Sequence, residues 1–238
     1  MTPSDKNQDK NALLRAFFYP FVFVILLWLI KAIELIFDIR LTSFGMLPRS
    51  LMHLPGILSM PLLHANFKHL ISNSIPILVL GGFIFYFYKD IAWKVVVWIY
   101  FLSGLWLWIG GRPLFHIGAS GLVYGFAAFL FFSGIFKRST KLMAVSLIII
   151  FLYGSMIWGF FPEFFPDENI SWEGHLFGFL AGILMAFYYR KFGPQEPVYD
   201  WNDEDDVSDE ENPYWEIDMP ADKNSIDKNA HPTYFRKK

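Results

Sequence analysis

Cysteine is absent from the 238 residues. Its absence excludes a disulfide framework and a thiolate metal site. Charge is the second shortage. Asp, Glu, Lys and Arg make up 18% of the chain, while 54% is hydrophobic and 20% aromatic. A soluble domain carries about a quarter charged residues, and here the few charges cluster between long apolar runs. Mean hydropathy is +0.35. These features exclude an ordinary soluble domain and give a polytopic membrane protein. A cleavable-signal pattern is lacking as well. The first apolar run spans about twenty residues, longer than a signal core, and is expected to remain as a helix.

What charge there is divides unevenly. Residues 1–193 carry 15 Lys/Arg against 9 Asp/Glu, and residues 194–238 carry 5 against 13. The basic part fits loops facing the cytoplasm. The acidic part is poor in aliphatics and reads as a disordered, solvated extension. The expected organisation is a cytoplasmic N-terminal tail (1–16), a membrane domain (17–190) and an acidic cytoplasmic tail (191–238).

Six apolar segments are predicted as spans: 17–37, 66–87, 92–110, 120–136, 142–161 and 172–189. The connection 38–63 is apolar but broken by Pro48, Pro55 and Pro61. It is expected to form short helices in the bilayer interface. The fold class is therefore all-α, a six-helix membrane bundle with an interfacial first outer loop. Lys6, Lys10, Arg15, Lys89, Lys94, Lys137, Arg138, Lys141, Arg190 and Lys191 fall on one side. That side is expected to be cytoplasmic, with both termini on it.

Polar groups at membrane depth are costly and mark functional candidates. Three of them fall at one level. Measured from the basic end of its own span, Ser120 lies about 25 Å from Lys137, His175 about 22 Å from Arg190 and Asn73 about 24 Å from Lys89. In a hydrocarbon core of about 30 Å, all three sit just below the outer surface. The irregular stretch 111–119 before Ser120 must then be buried in protein or reached by water.

Each candidate has a structural alternative. Ser120, in "GASG", is either a small packing residue, a helix N-cap, or a nucleophile beside backbone N–H groups that hold an oxyanion. The flanking Gly118 and Gly121 would admit a substrate backbone. His175 is either a packing residue or the base that such a serine needs. Gly178 and Gly182 follow it on the same face, in a small-xxx-small pattern that draws a partner helix close. "HANFKHLISN" supplies His64, His69 and Asn73, as helix-packing groups or as donors to an oxyanion. A zinc site lacks its ligand set, because no HExxH is present and no Asp or Glu falls at that depth in the second or fourth segments. Tyr124, one turn after Ser120, is either a core aromatic or a platform for the His175 ring. His53 and His116 are read as surface residues of outer connections, and Lys31 with Glu34 as an i, i+3 pair.

"HANFKHLISN", then "GASG" with Tyr124, then "GHLFGFLAG" resemble the rhomboid family of intramembrane serine proteases, in order and in span. The resemblance covers about residues 17–190. It implies Ser120 as nucleophile and His175 as general base. It implies an oxyanion hole of His64, Asn73 and the Ser120 N–H, and supporting roles for His69, Tyr124, Gly118, Gly121, Gly178 and Gly182. Substrates would be single-span membrane proteins in the lipid bilayer, with the fifth span as a lateral gate. No cofactor, metal or nucleic-acid partner is expected. The setting would be a bacterial cytoplasmic membrane. Two departures stand out: Pro55 and Gly56 replace a frequent Trp-Arg pair, and Gly174 replaces Ala. The alternative function is a catalytically inactive, rhomboid-like adaptor that binds client helices.

Overall fold

A computed structural model describes residues 3–152, 161 and 171–194. Among these residues the chain is helical and forms no strand. Its helices are α1 (Pro3–Ile36), the one-turn α2 (Gly56–Ser59), α3 (Phe67–Phe87), α4 (Ala92–Gly110), α5 (Ser120–Lys137), α6 (Thr140–Leu152) and α7 (Trp172–Tyr188). Hydrocarbon offers backbone groups no partners, so long apolar runs close their hydrogen bonds internally as helices. Four helical stretches are long and apolar enough to cross a bilayer: Lys10–Ile36, Phe67–Phe87, Ala92–Gly110 and Ser120–Lys137. The chain is an integral membrane protein. Residues 153–160 of the fifth apolar segment and 195–238 of the acidic tail lie outside the described residues.

α5 is the centre of the bundle. In its apolar window 67% of residues are buried, against 22% for Lys10–Ile36. Phe129 and Leu130 of α5 pack with Leu27 of α1, Leu70, Ile77, Leu80 and Ile84 of α3, and Ile99 of α4. Phe18, Phe21, Leu29, Trp93 and Trp98 face outward, as side chains against lipid tails do. α1 lies along α3, where Gly81 and Gly82 leave room for Pro20 and Phe17.

Among the described residues the closest helix pair is α5 with α7. A Cβ on Gly178 would fall onto the Gly121 carbonyl, and one on Gly182 onto the Gly125 carbonyl and within 2.8 Å of the Ala128 Cβ. A Cβ on Gly121 would lie 3.3 Å from the Gly174 carbonyl. The backbones are in direct contact, the arrangement that small residues at four-residue spacing permit.

The first outer connection is built from single turns, Leu41–Phe44, Gly56–Ser59 and Met60–Leu62. Two side-chain hydrogen bonds tie it to the end of α4. The Arg49 guanidinium donates to the Gly111 carbonyl at 3.2 Å, and the Trp108 indole N–H donates to the Ser50 carbonyl at 3.1 Å. A Cβ on Gly56 would lie 2.6 Å from the Gly45 oxygen and from the Met46 Cα, so this turn rests directly on the backbone before it. Met46 and His116 exchange both backbone hydrogen bonds, at 3.0 and 2.8 Å, which joins this connection to the segment before α5.

Enlarging Gly178 to Leu forces α5 and α7 apart. The expected loss is about 1–3 kcal/mol, the usual cost of overpacking, read as a lower thermal midpoint in detergent. An unchanged midpoint would contradict this packing.

Candidate active site

Ser120 is the first residue of α5, with Ala119 as the N-cap. Ala119 has no side-chain oxygen to cap the helix, and its carbonyl accepts from both Leu122 and Val123 N–H. The N–H groups that open a helix have no intrahelical partner. The half-exposed Ser120 hydroxyl lines a small cavity with Met60, Ser103, His116, Ser171 and Gly174.

The backbone before Ser120 takes a form that requires glycine. Gly118 has φ 113, a region that residues with a Cβ rarely enter. Its N–H donates to the Met60 carbonyl at 2.8 Å. A Cβ here would also lie 2.5 Å from His69 Cε1, so the His69 ring rests against this turn. The His64 ring meets His69 with centroids 5.0 Å apart. Asn73 follows His69 by one turn of α3.

His175 lies in the first turn of α7 and is buried. The Tyr124 ring is stacked on it, centroids 4.3 Å apart and planes 12° off parallel. The glycine contacts between α5 and α7 make this possible, because both rings occupy the same tight interface. Gly121, Gly178 and Gly182 are all in that interface, and Gly118 is at the turn.

Most buried polar groups here are paired. Lys31 does more than pair with Glu34. Its ammonium donates to Glu34 Oε2 at 2.9 Å, to the His64 carbonyl at 2.9 Å and to the Ala65 carbonyl at 3.2 Å. Glu34 Oε1 accepts from Leu41 N–H at 2.9 Å. The connection that carries His64 is thus clamped to α1. Three side-chain nitrogens are exceptions: His64 Nδ1, His64 Nε2 and Asn73 Nδ2 are buried with no hydrogen-bond partner. A buried polar group left unsatisfied costs about 1–3 kcal/mol.

Burial lowers the His64 pKa from 6.5 to about 3, with His69 and then Lys31 adding like-charge repulsion. The nearby Leu62 carbonyl favours the charged ring but completes no hydrogen bond. The ring is therefore neutral and carries one N–H donor.

One expectation is corrected. His116 is no surface residue but 3% exposed. Its Nδ1 lies 2.6 Å from Ser171 Oγ and its Nε2 3.1 Å from the Arg112 carbonyl. Burial pushes its pKa down. His53 is half-buried, with its ring on Phe115. Sequence reading also missed the Arg112–Glu173 ion pair, in which Arg112 Nη2 donates to Glu173 Oε2 at 3.1 Å. Among the described residues no three His, Asp or Glu side chains converge to hold a metal ion.

A family model described as the Rhomboid domain matches residues 52–192. An uncharacterised protein of Mycobacterium tuberculosis is 38% identical over 178 residues, covering 69% of this chain and 71% of its own length. One of Mycobacterium leprae is 36% identical over 172 residues, covering 69% and 68%. A Bacillus subtilis protein named "Putative rhomboid protease YdcA" is 30% identical over 131 residues, covering 53% of this chain and 62% of that protein.

The His64 shift has a consequence for stability. Between pH 6.5 and about 3 the unfolded chain binds a proton at this position that the folded chain does not. Stability therefore falls as pH drops through that window. His116 acts in the same direction. The thermal midpoint in detergent is expected to fall from pH 7 to pH 5, and to fall less in His64→Gln. Equal pH dependence in both proteins would contradict the burial of a neutral His64.

Proposed function

Because the chain belongs to the rhomboid family, we propose that it is an intramembrane serine endopeptidase acting through Ser120 and His175. The observation that carries this reading is the set of unpaired donors on His64 and Asn73. His64 meets the His69 ring, which rests against Gly118 just before the helix start that no side chain caps, and Asn73 lies one turn after His69. Fixed donors aimed at developing negative charge are the main device of such sites, and their cost in the resting protein is met when the charge arrives.

The chemistry follows from the groups. His175 accepts the Ser120 proton as Oγ attacks the carbonyl carbon of the scissile peptide. The oxyanion that forms is held by Ser120 N–H, His64 and Asn73. The His175 imidazolium then protonates the leaving amine, giving an acyl-enzyme. Water, deprotonated by His175, attacks the ester, and Ser120 recovers its proton. Tyr124 holds the imidazole plane without a third acid. His69 and Gly118 keep the turn in shape. No cofactor takes part.

The same reading extends to topology and substrate. The bundle has six spans, with both termini in the cytoplasm of a bacterium. Substrates are single-span membrane proteins cut in or beside the span, where small residues loosen the helix. The lateral gate is assigned to the fifth apolar segment, most of whose second half lies outside the described residues.

Ser120→Ala and His175→Ala should abolish cleavage of a single-span substrate in proteoliposomes. Removing one oxyanion donor, in His64→Ala or Asn73→Ala, should lower kcat about 10²–10³-fold. Cleavage that persists in Ser120→Ala would refute the protease reading and leave the adaptor.

A further inference from the structure

The polar contacts between the segment before α5 and the start of α7 form a pattern. His116 precedes Ser120 by four residues, and Ser171 precedes His175 by four. Their side chains meet at 2.6 Å. We propose that this hydrogen bond is a cross-tie that sets the separation of Ser120 and His175, which makes His116 and Ser171 positioning residues. The inference rests on the protease reading and adds to it how the dyad is held.

His116 is fixed on every side. Its backbone N–H donates to Met46 at 2.8 Å and its carbonyl accepts from Met46 at 3.0 Å. Its Nε2 lies 3.1 Å from the Arg112 carbonyl. A carbonyl only accepts, so Nε2 carries the hydrogen. Nδ1 is then bare and accepts from the Ser171 hydroxyl. From His116 to Ser120 the path has little freedom: Gly118 is pinned to Met60 at 2.8 Å, and α5 begins directly afterwards.

The other end is as short. The Ser171 carbonyl accepts from His175 N–H at 3.3 Å, so the residue held by His116 also closes the turn that carries His175. Serine at a helix N-cap normally bonds to the N–H groups of the first turn. Ser171 occupies the N-cap of α7 and makes no such bond, because its hydroxyl is turned across to His116. The Arg112–Glu173 pair is a second clasp between the same segments. The glycine contacts fix how far apart α5 and α7 lie. The cross-tie adds what they leave free, sliding of α7 along α5. A displacement near 1 Å of a catalytic group costs about 10²-fold in rate.

The test uses the full chain in proteoliposomes with a single-span substrate and a fluorophosphonate probe. The variants are Ser171→Ala, His116→Leu, the double variant, and His116→Asn, whose amide oxygen can take the place of Nδ1. Each single variant should lower kcat and the labelling rate of Ser120 about 10- to 100-fold, with KM unchanged. The double variant should be no worse than the worse single one, and His116→Asn should recover most of the rate. Losses that multiply in the double variant, a change in KM alone, or no rescue by Asn would overturn the cross-tie while the wild-type chain still cleaves. A wild-type chain that neither labels nor cleaves would overturn the protease reading together with it.

Discussion

Where α5 meets α7, Gly178 lies on the Gly121 carbonyl and Gly182 on that of Gly125, with no side chain between the backbones. The site depends on this contact. It allows the Tyr124 and His175 rings to stack in one interface and brings the start of α7 level with the start of α5. Apolar side chains give no net drive for helix association when lipid tails are equally apolar. Close backbone approach therefore carries the packing, and a single added methyl group is enough to disturb it.

A second constraint is the contrast among the polar groups. Lys31, Glu34, Arg112, Glu173, His116 and Ser171 are joined in ion pairs and hydrogen bonds that clamp irregular backbone at the edge of the bundle. Such backbone survives at that depth only when protein satisfies it or water reaches it. Against this background the free nitrogens of His64 and Asn73 are conspicuous. Polar side chains hold the frame, while these nitrogens are left without partners.

Much of the frame was legible in the sequence. The segments 66–87, 92–110 and 120–136 agree with α3, α4 and α5 to within a residue at each end, because apolar run length and basic punctuation act locally. The glycine spacing after His175 pointed to a tight helix pair for the same reason. His116 was misread because nothing in "RPLFHIG" signals that Ser171, 55 residues later, will cover it. Arg112 with Glu173 was missed on the same ground. Lys31 and Glu34 are neighbours in the sequence, but their further partners, the carbonyls of 64 and 65 for Lys31 and the Leu41 N–H for Glu34, belong to a connection without periodicity. Local pattern writes the helices, and pairings between loops come only with the tertiary structure.

In the proposed mechanism a hydroxyl on α5 and an imidazole on α7 work as one unit. A mechanism-based chloroisocoumarin, which acylates a serine and then alkylates an adjacent imidazole, tests this most directly. Mass spectrometry of the treated membrane protein should show one product in which the peptide bearing Ser120 is joined to the peptide bearing His175. Acylated Ser120 with His175 unmodified, or reagent scattered over other residues, would contradict it.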